Sequence, residues 1–161
     1  LDGELARMKV AFFKGRHPGM KGWLGVATKW WTVGPYSHCE LVIDETPDGK
    51  AICWSSAYLD HGVRKTTLVL DAADWDVIDV PTTAAQEAAA VAWFEAHAGQ
   101  PYDVLGLLQF VWRREEGDKR KWFCSESVAE ALGFRESWRY DPNTFAAVLA
   151  HWGQWGELTV A

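Results

Sequence analysis

A thiol is a useful nucleophile only where its thiolate is favoured, and the start of a helix favours it through unpaired backbone amides and the positive end of the helix dipole. Of the three cysteines in this chain, Cys124 stands at such a start, in the run Trp122-Phe123-Cys124-Ser125-Glu126. Counting about 100° per residue from Cys124, Val128 falls roughly 40° away, Ala131 roughly 20° and Leu132 roughly 80°, whereas Glu126 and Glu130 fall off that stripe. The sulfur is therefore expected on the core-facing side of the helix. The Ser125 amide that follows is expected to help hold an oxyanion. The competing reading of Cys124 is a small buried thiol in a helix, the commoner fate of a cysteine.

Such a nucleophile needs an imidazole that takes its proton and later delivers it to a leaving group. His38 is the best placed of the five histidines, because it opens a strand-like run from Ser37 to Asp44. On a strand Glu40 shares its face, while Cys39, Leu41 and Ile43 share the other. An acid two residues along can orient the ring and tune its pKa. The returning strand brings Cys53, Ser55 and Ser56 opposite His38 in a register that the sequence leaves open, so the third catalytic position falls to Glu40, Cys53, Ser55 or Ser56. Without Cys124 as their partner, His38 and Glu40 read as a solvated strand face. His17 and His61 lie in turn-rich segments, His97 near a helix C-terminus and His151 past the last expected helix. No two of these thiols and imidazoles have ligand spacing, so neither a metal nor another cofactor is expected.

The elements that must position these groups follow from periodicity and punctuation. Val10 to Phe13 suits a first strand, closed by Gly15 and Pro18. Met20 to Trp31 spaces Trp23, Leu24, Ala27, Trp30 and Trp31 on one helical face, ending before Gly34-Pro35. The runs Ser37 to Asp44 and Lys50 to Ala57 flank Thr46-Pro47-Asp48-Gly49, the chemistry of a tight hairpin turn. Val63 to Leu70 and Trp75 to Val80 extend the sheet, with Pro81 expected to stop it. A helix then begins at a Thr82-Thr83 cap and runs to Gly99, followed by a shorter helix from Asp103 to Trp112 and a solvated charged loop from Arg113 to Lys121. Phe123 to Leu132 is the Cys124 helix, stopped by Gly133. Asp141-Pro142 starts a last helix running to about Ala150. Strands first and helices afterwards predict an α+β fold with about five strands.

Composition sets the outer bounds. The chain has 161 residues, 48% of them hydrophobic and 24% charged, which suits one globular domain with a proper core. Residues 8–161 are expected to form that domain, with residues 1–7 as a tag or upstream sequence before Met8-Lys9. Eleven Trp must fill the core or line a groove, and core is the plainer reading. A net charge of -6 argues against nucleic acid as a partner. Three Cys without a C-x-x-C pair suggest free thiols. No run reaches the length of a membrane helix, and the acidic, mixed start is not a signal peptide, so a soluble chain of undetermined compartment is expected.

With Ser37-His38-Cys39-Glu40-Leu41-Val42-Ile43 on an early strand and Trp122-Phe123-Cys124-Ser125-Glu126 opening a late helix, the chain resembles the circularly permuted branch of the NlpC-type papain-like cysteine hydrolases, in particular the YiiX-like group. In the unpermuted members the Cys helix precedes the His strand, and here the order is reversed. Further matches are Gly34-Pro35-Tyr36-Ser37, Ser55-Ser56, Gly62-Val63-Arg64, Tyr102-Asp103 and Gly106-Leu107-Leu108, over roughly residues 10 to 150. The resemblance implies a papain-like α+β fold with the Cys helix on an antiparallel sheet, Cys124 as nucleophile and His38 as general base. Unpermuted relatives usually supply the third member from the next strand, near Cys53 to Ser55, whereas Glu40 is the nearest acid. Tyr36, Ser55 and Ser56 are expected to line the site together with Ser125.

The function expected on these grounds is that of a cysteine peptidase or amidase working by acyl transfer. Family likeness points to the peptide stems of bacterial peptidoglycan. The small size fits a bacteriophage or prophage product that degrades the cell wall, with virion association as one route of delivery. A lipid-directed thioesterase or acyltransferase of the same fold is the first rival, with the Trp-rich helix lining an apolar groove. A non-enzymatic assembly or binding module is the second.

Overall fold

A computed structural model describes residues 6–15, 33–103 and 120–155. The expected helix from Met20 to Trp31, His17, nearly all of the Asp103 to Trp112 helix and most of the charged segment after it lie outside the described residues.

Five strands are present among the described residues: β1 (Ala6–Phe13), β2 (His38–Glu45), β3 (Ala51–Ala57), β4 (Gly62–Leu68) and β5 (Trp75–Thr82). They form one antiparallel sheet in the order β4-β3-β2-β1-β5. The β2–β3 hairpin turns at Thr46 to Gly49, where Gly49 takes φ 77°, a value that suits glycine. β1 starts earlier than Val10, because Ala6 and Arg7 pair with Thr82 and Pro81 of β5. Pro81 therefore does not stop the last strand, as its missing N–H had suggested. β5 is an edge strand, where a proline leaves no ladder bond unmade on its open side.

Three α-helices follow: α1 (Ala84–His97), α2 (Cys124–Ala131) and α3 (Pro142–Trp155). Thr83 caps α1 by accepting from Gln86 N, and Gln86 returns the bond to Thr83 N, a reciprocal capping box. Asp141 caps α3 through the amides of Asn143 and Thr144. α3 runs past the expected end near Ala150 and takes in His151. α2 matches its expected span within a residue at each end, and Gly133 (φ 81°) follows it.

Strand alternation gives the sheet two different faces. One carries Val10, Phe12, Cys39, Leu41, Trp54 and Val63, which pack with Phe94 of α1, Val128 of α2 and Phe145 and Leu149 of α3 into the main core. Phe12 meets Phe145 edge-on at 6.1 Å, and Trp54 stacks on Phe94 at 5.6 Å. The second face carries a smaller apolar cluster of Ala11, Val42, Ala51 and Cys53. The described tryptophans serve mainly as packing, with Trp54 and Trp122 both buried. No helix among the described residues is long and apolar enough to cross a membrane.

β4 enters the sheet through Gly62 at φ 140°. A Cβ there would collide with the backbone carbonyl of Gln100, which accepts from Val63 N at 2.9 Å. Gly62→Ala is expected to lower unfolding free energy by about 1–3 kcal/mol, the range for a residue forced into glycine-only backbone space. Urea denaturation of the purified variant measures it.

Candidate active site

The site is built where the N-terminal end of β2 meets the N-terminal end of α2. His38 is the first residue of β2, and the chain before it is fastened on three sides. Ser37 N donates to Phe13 O at 3.0 Å. The backbone of Tyr36 is clasped by the Asn143 side chain, which accepts from Tyr36 N at 2.9 Å and donates to Tyr36 O at 2.8 Å. The Tyr36 hydroxyl donates to Asp76 at 2.8 Å, and Lys14 holds the other oxygen of that carboxylate at 2.6 Å. Tyr36 was expected to line the site. Its hydroxyl is bonded to Asp76 of β5 and its ring lies against Phe12, so it anchors the approach to His38.

The start of α2 is pinned to the sheet by serines. Ser56 Oγ donates to Trp122 O at 2.7 Å, and Ser56 N donates to Ser127 Oγ at 3.2 Å. Ser125 Oγ donates to Tyr140 O at 2.6 Å, and Ser55 Oγ donates to Cys39 O at 2.7 Å. Ser55, Ser56 and Ser125 thus have their hydroxyls engaged by backbone carbonyls. Every residue from Cys124 to Ala129 is buried. That includes Glu126, which the helical wheel placed off the core stripe. Glu126 accepts from Phe123 N as half of a capping interaction.

His38 Nε2 lies 2.7 Å from Glu40 Oε1. The imidazole and the Cys124 sulfur lie close enough for each to shift the titration of the other. Of the four candidates for the third position, Glu40 is the one that the ring contacts. Ser55 and Ser56 are turned to carbonyls, and Cys53 is the cross-strand partner of Val42.

Three thiols in one domain have three different environments. At Cys124, a hydrogen bond from the Cys39 thiol holds the pKa well below its ordinary value against the opposing effect of burial, with the His38 imidazolium and the Cys39 N–H adding to it. Burial drives Cys39 the other way, well above its ordinary value, reinforced by the Cys124 sulfur it serves. Burial pushes Cys53 up to about 12. At His38 burial disfavours the charged ring, but the Cys124 thiolate and the Glu40 carboxylate outweigh it and raise the pKa to about 10. Glu40 is fully buried. Burial alone would raise its carboxyl, and the neighbouring His38 and Arg64 hold it below its ordinary value instead.

Two residues near the site had no role assigned from sequence. Arg64 of β4 donates to both Glu40 oxygens, from Nη1 to Oε2 at 2.8 Å and from Nη2 to Oε1 at 2.5 Å, and its Nε donates to Asp60 at 2.8 Å. Tyr102 lies close enough for the Cys124 and Cys39 sulfurs to add to the effect of burial in raising its phenol pKa. The alternation of β4 could have put Arg64 on the His38 face, but only the strand order shows that it reaches Glu40. Among the described residues no group of three or more His, Cys, Asp and Glu side chains is arranged to hold a metal ion.

A thiolate beside an imidazolium, with the far ring nitrogen on a buried carboxylate, is chemically equipped for nucleophilic attack followed by proton delivery. No protein-family model matches the chain, and no curated protein sequence matches it at a significant level.

The pKa directions make a selective prediction. Cys124 is a thiolate at a pH where Cys39 and Cys53 are thiols, so iodoacetamide at pH 6 should label Cys124 on the order of a hundredfold faster than either. Peptide mass spectrometry over a time course reads the three rates. His38→Ala removes the cation and should slow Cys124 labelling at that pH.

Proposed function

We propose that the chain is a cysteine hydrolase of the circularly permuted, NlpC-type papain-like class, acting on amide bonds in peptidoglycan stem peptides. The observation that carries this reading is the His38 ring held on the buried Glu40 carboxylate, with the Cys124 sulfur near enough to help raise the pKa of the ring. Support also comes from the order of parts. An antiparallel sheet supplies the imidazole, and a later helix packed on that sheet supplies the thiol from its first turn.

In the proposed reaction the Cys124 thiolate attacks the scissile carbonyl carbon. Backbone N–H groups at the start of α2 stabilise the oxygen anion that forms. The His38 imidazolium gives its proton to the departing amine as the C–N bond breaks, leaving a thioester on Cys124. Neutral His38 then takes a proton from water, the hydroxide adds to the thioester, and the carboxylic acid product leaves as the thiolate and imidazolium are restored. Glu40 stays ionised throughout and keeps the ring oriented between the two steps. A bacteriophage or prophage origin and delivery with a virion suit an enzyme that cuts the cell wall, and they belong to this proposal.

Purified protein incubated with muropeptides should release new amine and carboxyl termini. Cys124→Ala should abolish the cleavage, and His38→Ala should reduce it by about 10²–10⁴-fold. The pH profile should rise on an acid limb well below the ordinary thiol range, as the thiolate forms. It should fall near pH 10, where His38 loses the proton it must donate. Intact muropeptides combined with Cys124-dependent cleavage of acyl esters or thioesters would replace the cell-wall reading with a lipid-directed one. No hydrolysis of either class, with an unreactive Cys124, would leave a binding or assembly module.

A further inference from the structure

Glu40 is a carboxylate with no exposure to solvent at the centre of the sheet, and the groups that compensate it come from different strands. His38 of β2 reaches Oε1. Arg64 reaches both oxygens from β4, two strands away across β3. Arg64 is the cross-strand partner of Ser55, so the guanidinium crosses β3 where the side chains on that face are Cys53 and Ser55, both small. The Ser55 hydroxyl is folded back onto Cys39 O, out of the way. Oε1 is shared, with the imidazole on one side and the Arg64 Nη2 on the other. The remaining edge of the guanidinium is held by Asp60, from the 3-10 turn at Tyr58–Asp60.

We infer that Arg64 is a positioning residue for the proposed reaction, clasping Glu40 so that a charged carboxylate oxygen stays against His38 Nε2 over the whole working pH range. The inference rests on the hydrolase reading above and adds a fourth member to its chain of contacts, running from Cys124 through His38 and Glu40 to Arg64. A merely structural ion pair would hold β4 to β2 and leave the titration of the thiol alone. A positioning role makes the thiol depend on Arg64 at second hand. When Glu40 is ionised it stabilises the imidazolium, and the imidazolium stabilises the thiolate. When Glu40 takes a proton, the Nε2 contact loses its charge and the thiolate is harder to form.

The groups around this carboxylate all bear on that coupling. His38 and the Cys39 thiol come from β2, Cys53 from β3, Arg64 from β4, Asp60 from the turn before β4, and Cys124 from α2. Ala11, opposite Glu40 on β1, brings no charge. Of the cations in this set, Arg64 keeps its proton at every relevant pH. Without it, His38 alone is left to offset the burial that opposes ionisation of the Glu40 carboxyl.

The rate of Cys124 alkylation by iodoacetamide from pH 4 to 9 tests this without knowledge of the substrate. Arg64→Met should move the acid limb up by about one pH unit, which is a tenfold slower rate at pH 5, with rates near wild type at pH 8.5. Arg64→Lys keeps the charge but loses the two-pronged clasp, and should slow the pH 5 rate about threefold. In a Glu40→Gln background, adding Arg64→Met should leave the profile where Glu40→Gln put it, because the effect runs through the carboxylate. An Arg64→Met profile that overlays wild type, or shifts that simply add in the double variant, would overturn the inference. If Arg64→Met does not fold, Arg64→Lys carries the test, and equal rates for it and wild type at pH 5 have the same force. The two proposals fail separately. A wild-type Cys124 no more reactive at pH 6 than Cys39 and Cys53 removes the hydrolase reading, whereas a reactive Cys124 indifferent to residue 64 removes only the role of Arg64.

Discussion

A carboxylate taken fully out of water must be met by positive charge and by donors to its oxygens, and most of the arrangement around Glu40 follows from that requirement. His38 and Arg64 supply both, and Asp60 holds the far edge of the guanidinium. Removing one partner of such a buried pair typically costs about 3–5 kcal/mol, because the other charge is left uncompensated. The requirement constrains the sheet as well. Two cations must reach one carboxylate from strands on either side of β3, so the residues of β3 facing it are held to small side chains, Cys53 and Ser55.

The same charges reach the main core on the other face of the sheet. Cys39 follows His38 on β2 and points toward α2, where its thiol and its N–H both favour the Cys124 thiolate. His38, at the very end of the strand, meets Glu40 on one face and Cys124 near the other. The serines around α2 explain how a short helix is held to the accuracy such contacts need. Ser56, Ser125 and Ser127 each spend a hydroxyl on a backbone carbonyl, and Ser127 also accepts from the Ser56 amide. Hydroxyls buried in this way lose little, since each replaces a bond to water with a bond inside the protein.

Local chemistry was legible where a short stretch of sequence decides the outcome. The β2–β3 hairpin follows from Thr46-Pro47-Asp48-Gly49, the start of α1 from the Thr82-Thr83 cap, and the common face of His38 and Glu40 from the two-residue period of a strand. The misreadings have a shared cause. Pro81 stays in a strand because that strand is an edge, and Glu126 is buried although it lies off the apolar stripe of α2. Residue type alone did not show that the hydroxyls of Tyr36, Ser55 and Ser56 are each engaged by an acceptor from a distant part of the chain.

The sequence by itself determined the α+β order of elements, the five strands, the helix that begins at Cys124 and the pairing of His38 with Glu40 on one strand face. Each of these depends on neighbours within a few residues, where backbone periodicity and capping act directly. Only the tertiary structure decided that Glu40, rather than Cys53, Ser55 or Ser56, meets the His38 ring, that the Cys39 thiol serves Cys124, and that Arg64 closes on the carboxylate from two strands away. Those contacts depend on strand order and on which charges are shut away from water together, and both are set by the packing of the whole sheet against its helices.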